Sequence, residues 1–264
     1  MKSYSARHDA FIPRRFVALT MLPPTIVYPG GGIFFWWQAG CVAGLTRRFD
    51  LRSGHVKAVG ASAGALSAAL GTCHCDMDRA LSRAIALTDE AGCFSRGVWG
   101  LYGVWGDMIT TWLDDLLPDD AAEACRGRVS VAVTAVPRVE RLLIDDFTDR
   151  SDLINTLKAS IHVPLFLDRQ WTSELRGAHY VDGSLMEALR PKRYLLGPRD
   201  ARSPILRLYH GDDPRMAARF TRNDDFLRLS SPDGVAEMMG WGEEHVEALD
   251  ARGELSVLDG IRWK

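Results

Sequence analysis

Residues 55–70 read HVKAVGASAGALSAAL, and this stretch decides the fold class of the chain. The run from His55 to Gly60 is short and apolar, as expected of a buried strand, and the alanine-rich run from Ala65 to Leu70 favours a helix. Between them stands Gly60-Ala61-Ser62-Ala63-Gly64, a G-x-S-x-G pentapeptide at the predicted strand-to-helix turn. Strand, sharp turn and helix in this order indicate an α/β domain.

The same alternation continues on both sides of this turn. Further strands are predicted at Thr25 to Tyr28, Val129 to Val136, Arg141 to Phe147, Tyr180-Val181 and Ile205 to Tyr209. Further helices are predicted at Ile33 to Arg48, Met77 to Thr88, Leu153 to Ile161 and Val235 to Leu249. Short connections between strands and helices predict a three-layer α/β/α fold with a mainly parallel central sheet, covered on both faces.

Composition excludes several classes of protein. The chain has 264 residues, 47% of them hydrophobic, and a formal net charge of −2. The near-neutral net charge argues against a nucleic-acid-binding protein. No stretch that is highly charged and poor in apolar residues is long enough to indicate a disordered protein. The five cysteines are odd in number and irregularly spaced, which favours free thiols in a reducing, intracellular compartment. They are Cys41, Cys73, Cys75, Cys93 and Cys125.

The domain prediction is a single unit over residues 25–264, preceded by a basic N-terminal extension over residues 1–24. That extension is expected to be disordered or to act as an organellar targeting segment. The most apolar run, Ile33 to Leu45, is too short to cross a bilayer, so the chain is expected to be cytoplasmic or peripheral to a membrane.

Three short motifs carry the chemistry. Ser62 lies at the centre of the pentapeptide, where a strained turn would present its hydroxyl as a nucleophile. The same pentapeptide is also compatible with a tight strand-to-helix turn that has no catalytic role. Gly30-Gly31-Gly32, also between a strand and a helix, exposes backbone N–H groups that bind an anion, and it matches neither common nucleotide-phosphate motif. Asp182-Gly183 follows a strand, so the carboxylate is expected at the strand-end crevice, where desolvation makes it a better base.

In these blocks the sequence resembles the patatin-like phospholipase family. Gly30-Gly31-Gly32-Ile33 is similar to the oxyanion block of the family, and Gly60 to Gly64 to its nucleophile elbow. Residues 159–164, reading ASIHVP, are similar to the Ala-Ser-x-x-x-Pro block, and Val181-Asp182-Gly183 to the Asp-Gly block. The four blocks occur in the family's order.

The resemblance implies a serine lipid acyl hydrolase with a Ser–Asp dyad and no catalytic histidine. Ser62 would be the nucleophile and Asp182 the base. The N–H groups of Gly31, Gly32, Ile33 and Ala63 would form the oxyanion hole, supported by Gly30, Gly60, Gly64 and Gly183. The resemblance implies lipid ester substrates, no metal or organic cofactor, and contact with a membrane or lipid-droplet surface. Some members transfer the acyl group to acceptors other than water.

The chain departs from the family pattern in two places. Phe34 and Phe35 stand where many relatives have a cation and a glycine, and Ser184 stands where a second glycine is common. These departures leave the headgroup preference open. They also motivate the alternative of a catalytically silent lipid-binding protein on the same fold.

Other residues suggest further alternatives. A Ser-Asp-His hydrolase would use His210 or His245, whereas His162 is expected to pack or hydrogen bond. Cys73-His74-Cys75 has no second paired cluster and is a poor zinc signature. The aromatic segment from Phe94 to Trp112 is interpreted as a helix with its tryptophans inward, or as a lid or lipid-contacting surface. The cluster Arg190, Lys192 and Arg193 is expected to be solvated.

Overall fold

The computed structural model describes residues 22–189, 195–198, 200 and 202–264. The strands are β1 Thr25–Tyr28, β2 Lys57–Ala61, β3 Val129–Val136, β4 Glu140–Ile144, β5 Ser173–Leu175, β6 Ala178–Val181 and β7 Ile205–Arg207. The α-helices are α1 Phe35–Thr46, α2 Ala63–Thr72, α3 Met77–Glu90, α4 Trp105–Leu116, α5 Ala121–Cys125, α6 Arg150–Ser160, α7 Leu185–Leu189, α8 Pro214–Arg219 and α9 Pro232–Ala251. Short 3₁₀ helices cover Gly32–Phe34, Phe94–Trp99, His210–Asp212, Asp225–Leu227 and Glu254–Ile261. Most of the predicted N-terminal extension, and the predicted basic cluster at 190–193, lie outside the described residues.

The strands form one mixed sheet. β1 pairs in parallel with β2 and β7, and β2 pairs in parallel with β3. β4 and β6 pair antiparallel with β3, and β5 pairs antiparallel with β6. The predicted fold class, an α/β domain with a mostly parallel central sheet flanked by helices, is confirmed.

The hairpin of β5 and β6 was not predicted in full, because β5 is only three residues long. Its turn residues, Arg176 and Gly177, both have positive φ angles, of 51° and 73°. Two such residues form the type I′ turn whose twist matches that of a hairpin. The Arg-Gly pair was therefore the only local sign of this connection.

Two strands share one edge of β3. β2 pairs with the first part of β3, with Ala61 opposite Ala132, and β6 pairs with the last part, with Val181 opposite Thr134. β4 pairs with the middle of β3 and overlaps both of these regions, so it occupies the other edge. β2 and β6 therefore lie end to end, and the residues that follow them in the chain converge at the same point.

The helices flank the sheet unevenly within the described residues. The main core lies on the face that carries Ile26 and Tyr28, and it contains side chains of α1, α2, α3, α6 and α9. On the other face, a small cluster of short strand side chains packs beneath Leu196. Glu187 of α7 lies on this side, where its carboxylate accepts a 2.6 Å hydrogen bond from Arg207. The helices that the structure describes thus cover one face of the sheet more thickly than the other.

Helices α1 and α9 cross with their backbones in close contact. A Cβ on Gly40 would overlap the carbonyl oxygen of Met239, and a Cβ on Gly242 would overlap the carbonyl oxygen of Trp37. The Cys41 thiol lies at the same crossing, 3.4 Å from the Gly242 carbonyl oxygen. Glycine on each helix therefore sets the distance between them.

No helix in the described part of the chain is both long and apolar enough to span a membrane. All five cysteines are described, and their thiols are free and buried.

We expect Gly40→Ala and Gly242→Ala each to lower the free energy of unfolding by about 1–3 kcal/mol, because an added methyl group forces the two backbones apart. Gly240→Ala is the matched control on α9, since nothing lies within 4 Å of a Cβ at that position. This control should be neutral or stabilising by up to about 1 kcal/mol. Urea denaturation measures all three, and equal stabilities would show that the crossing tolerates side chains.

Candidate active site

Ser62 stands at the turn between β2 and α2. It has φ 54° and ψ −132°, a conformation that is strained for a residue with a side chain, and only 7% of its surface is exposed. Its N–H donates to the Ser160 hydroxyl at 3.0 Å, and that hydroxyl donates to the Ala132 carbonyl at 2.7 Å. Ser160 therefore holds the strained turn against β3.

The two outer glycines of the pentapeptide allow this turn to pack tightly. A Cβ on Gly64 would overlap the Tyr28 carbonyl oxygen of β1, and a Cβ on Gly60 would overlap the Gly64 carbonyl oxygen. Any larger residue would move α2 away from the sheet. The small residues that the motif requires are thus explained by close backbone contacts.

Asp182 follows β6 and is held by the block at residues 159–164. Its N–H donates to the His162 carbonyl at 2.8 Å, and the N–H of Gly183 donates to the Ser160 carbonyl at 2.9 Å. A Cβ on Gly183 would overlap the Ala132 carbonyl oxygen. The end-to-end strands and this block bring Asp182 to Ser62.

His162 has a hydrogen-bonding role in this arrangement. Its ring is fully buried, and its Nε2 lies 3.2 Å from the Gln170 carbonyl oxygen. The imidazole thus supports the turn that follows the block, while the backbone carbonyl of His162 fixes Asp182.

The Asp182 carboxyl is buried and only partly hydrogen bonded. Its Oδ1 accepts from the Ser184 N–H at 2.8 Å and from the Ser184 hydroxyl at 2.5 Å, whereas Oδ2 has no hydrogen-bond partner in the described part of the chain. Burial raises the pKa of Asp182, and the Ser184 and Ser62 hydroxyls partly offset this shift. Desolvation is the larger effect, so the Asp182 carboxylate is a stronger base than a solvated aspartate.

The glycine block lies directly beside this pair. A Cβ on Gly30 would lie 2.7 Å from the Ser184 Cβ and 3.2 Å from the Ser62 Cβ, so the loop passes close to both. Gly31, Gly32 and Ile33 line the same cavity as Ser62, as does Ala63. Gly32 begins a 3₁₀ helix and Ala63 begins α2, and first-turn N–H groups have no partner within their helix. These amides are therefore candidates for binding an anion beside Ser62.

Ser62 and Asp182 line a cavity of about 300 Å³ with an almost entirely apolar wall. Asp182 is the only ionisable residue among the described residues that line it. The wall comes from α1, α2 and α3, from the aromatic segment, and from residues 226–235. The aromatic side chains in it are Phe35, Trp36, Phe94, Trp105, Trp112 and Phe226.

The aromatic segment has a buried part and an exposed part, and its role as a lid or lipid-contacting surface stays a prediction. Trp112 on α4 is buried, and Trp105 also lines the cavity. Trp99 and Tyr102 are instead 44% and 43% exposed. Of the two phenylalanines that depart from the family pattern, Phe35 lines the cavity, and Phe34 packs against Phe220.

The two histidines considered for a triad pack against aromatic rings. The His210 ring packs on Phe34, with centroids 4.7 Å apart, and burial lowers its pKa to about 4. The His245 ring packs on Trp37, with centroids 5.0 Å apart. Neither histidine makes a hydrogen bond to Ser62 or Asp182 in the described structure.

The side chains of the Cys-His-Cys sequence have different partners. Cys73 Sγ lies 3.7 Å from Cys125 Sγ, whereas His74 Nε2 lies 3.3 Å from the Asp50 carboxylate. Across the described ranges, no group of three or more histidine, cysteine or acidic side chains is arranged to hold a metal ion.

Comparison with known proteins identifies related sequences. The family model described as patatin-like phospholipase matches residues 26–190, a span that contains all four sequence blocks. Human omega-hydroxyceramide transacylase is 29% identical over 163 residues, which cover 61% of this chain and 30% of the relative. Mouse 1-acylglycerol-3-phosphate O-acyltransferase Pnpla3 is 26% identical over 165 residues, 62% of this chain and 40% of the relative. Human patatin-like phospholipase domain-containing protein 2 is 29% identical over 161 residues, 60% of this chain and 31% of the relative. The matched regions thus span less than half of each relative.

We expect Ser160→Ala to lower the free energy of unfolding by about 1–3 kcal/mol, because it leaves the Ser62 N–H and the Ala132 carbonyl without this buried partner. Ser82→Ala is the matched control, since the Ser82 hydroxyl bonds the Asp78 carbonyl on an exposed helix face. The control should change stability by no more than about 0.5 kcal/mol. Chemical denaturation checks both variants, and equal effects would contradict the role given to Ser160.

Proposed function

This chain belongs to the patatin-like phospholipase family, and on that basis we propose that it is a serine lipid acyl hydrolase that cleaves carboxylic esters of lipids. One observation carries the proposal. A strained, buried serine and a buried aspartate with raised pKa lie together in an apolar cavity of about 300 Å³. Pockets of this size and character bind small ligands with large apolar parts.

In the first step, the Asp182 carboxylate takes the proton of the Ser62 hydroxyl. The Ser62 oxygen attacks the ester carbonyl and forms a tetrahedral intermediate. The intermediate collapses, the alcohol leaves with the proton from Asp182, and the acyl group stays on Ser62. The raised pKa of Asp182 suits it to both proton transfers.

The negative charge of the intermediate develops on the former carbonyl oxygen. We assign its binding to the N–H groups of Gly31, Gly32, Ile33 and Ala63, which line the cavity beside Ser62. Amides that are fixed at the start of a helix need no reorganisation when the charge appears. Loss of one such donor typically raises the activation free energy by about 3 kcal/mol.

The acyl-enzyme is released in a second step. Asp182 takes a proton from water as the water oxygen attacks, and a fatty acid leaves while Ser62 regains its proton. A lipid hydroxyl in place of water would give acyl transfer from the same intermediate. Two of the relatives are named as a transacylase and an acyltransferase, so acyl transfer is the second candidate function.

The cavity suits the acyl part of the substrate rather than a charged headgroup. Its described lining contains no lysine or arginine, and rings and aliphatic side chains make up most of its wall. An acyl chain that enters it loses contact with water over its length, which supplies the binding energy. The proposed mechanism requires no metal ion or organic cofactor. All the residues that it uses lie within the predicted domain at residues 25–264.

We expect Ser62→Ala and Asp182→Asn each to lower turnover of a short-chain p-nitrophenyl ester by about 10³-fold or more, because each removes a group that acts in the transition state. His210→Ala and His245→Ala should retain turnover per folded molecule. A histidine variant as inactive as Ser62→Ala would instead support a Ser-Asp-His triad.

A fluorophosphonate probe and circular dichroism accompany this assay. Folded wild-type protein that fails to label at Ser62 would support the silent lipid-binding alternative. Mass spectrometry of a lipid panel, with wild type and Ser62→Ala, identifies the substrate and whether water or a lipid receives the acyl group.

We expect kcat/KM to rise with pH along an acid limb that lies above the usual range of an aspartate, because burial raises the pKa of Asp182 and only the carboxylate acts as a base. Ser184→Ala removes a hydrogen bond to the carboxylate, so this pKa should rise further and the limb should move to higher pH. Ser230→Ala removes another cavity-lining hydroxyl and is the matched control. Identical profiles for both variants would refute this role of Ser184.

A further inference from the structure

Four large apolar side chains are exposed on two adjoining segments of the chain, and we call this set of side chains the aromatic rim. Val98, Trp99 and Tyr102 come from the aromatic segment, and they are 42%, 44% and 43% exposed. Trp171, on the turn that follows the Ala-Ser-x-x-x-Pro block, is 71% exposed. Single exposed apolar residues are ordinary, but several aromatic residues on adjoining segments indicate an interaction surface.

The two segments of the rim are bound to each other. The N–H of Gly103 donates to the Phe166 carbonyl at 2.8 Å, and the N–H of Gly106 donates to the Leu167 carbonyl at 3.0 Å. The Phe166 ring lies under the rim, with its centroid 6.4 Å from that of Trp99 and 6.1 Å from that of Tyr102. The exposed rings are therefore supported by packed structure.

The rim is continuous with the wall of the cavity that Ser62 and Asp182 line. Beneath it, Leu101 and Phe166 form a small apolar cluster with Trp105 and Leu229. Leu101, Trp105 and Leu229 also line the cavity. The N–H of Leu229 donates to the Val98 carbonyl at 2.8 Å, which joins the cavity wall at residues 226–235 to the rim. A lipid that left a bilayer at the rim would thus meet apolar side chains on its way to Ser62.

Cations accompany the aromatic side chains. Arg96 and Arg169 are exposed, and neither has a carboxylate within 4 Å in the described part of the molecule. Arg96 donates to the Tyr102 carbonyl at 2.9 Å, and the Arg169 side chain packs on Gly103, so both lie at the rim. Arg228 lies over the Trp99 ring, although it also pairs with Asp224.

The acidic residues of the following helix are partly neutralised. Asp114 pairs with Arg150 at 2.8 Å, and Asp115 pairs with Arg83 at 2.6 Å. Two acidic side chains of α4 are therefore paired with arginines from other helices, and they oppose an anionic surface less than unpaired carboxylates would.

We propose that the aromatic rim is the surface by which this protein docks on a phospholipid bilayer. Tryptophan and tyrosine favour the depth of the lipid headgroups, where one end of the ring is apolar and the other is hydrated. Arg96 and Arg169 then lie at the level of the lipid phosphates. The choice of a bilayer as partner rests on the proposed lipid substrate, and docking itself is separate from catalysis.

Vesicle co-sedimentation tests the proposal in the Ser62→Ala background, so that binding is measured without turnover. Trp171→Ala should lower the affinity for both phosphatidylcholine vesicles and vesicles that also contain phosphatidylserine, by about tenfold, because the exposed ring no longer inserts. Arg96→Gln and Arg169→Gln should lower binding only to the phosphatidylserine vesicles, by about fivefold for each charge removed.

Two controls remove similar groups elsewhere. Trp263→Ala removes a 51% exposed tryptophan at the far end of α1, where its indole N–H donates to the Thr46 carbonyl. Lys57→Gln removes an exposed cation at the start of β2, at the opposite end of that strand from Ser62. Both controls should bind vesicles like the parent protein.

Equal binding by the rim variants and the controls would overturn the proposal. It would also be overturned if Trp171→Ala changed the oligomeric state in size-exclusion chromatography and left vesicle binding intact, since the rim would then contact a second copy of the chain. Hydrolysis of a soluble ester by Trp171→Ala in the active background, measured in parallel, keeps loss of docking distinct from failure of the proposed catalytic function.

Discussion

The pairing of β2 and β6 with the same edge of β3 is the constraint on which the candidate site depends. β2 runs parallel to β3 and β6 runs antiparallel to it, so the carboxyl ends of β2 and β6 point at each other. Ser62 and Asp182 are the next residues along each strand, and they meet although the two strands do not pair with each other. A shift of either strand by one residue would turn these side chains to the other face of the sheet.

The site is costly to the stability of the fold. Ser62 has a strained backbone, and Asp182 places a carboxyl group where burial raises its pKa. Because the folded pKa exceeds the unfolded one, the native state binds this proton more tightly. Stability from this group is present at low pH and is lost as pH rises through the folded pKa. The close crossing of α1 and α9 and the large core on one face of the sheet offset this cost.

Local patterns predicted much of the fold and the motif positions. The alternation in Val129–Val136 predicted a strand with the bounds seen in the structure, because the pattern reflects one buried face. The apolar stripe from Met77 to Thr88 predicted a helix for the same reason, and the helix in the structure continues to Glu90. The turn at Ser62 was predictable because its glycines are required by contacts within a few residues. The uneven covering of the sheet by the described helices, the end-to-end strands and the contribution of residues 226–235 to the cavity were not predictable. Each depends on contacts between distant parts of the chain that leave no local pattern.

The cavity wall at residues 226–235 lies beyond the span of 26–190 that matches the family model. The reacting groups and this part of the wall are thus encoded in separate stretches of the chain. Substitutions in the second stretch can reshape the space offered to a substrate while the first stretch keeps its sequence. Within such an arrangement, descendants of one ancestral protein can diverge in the molecules that they accept while the chemistry that they perform is inherited unchanged.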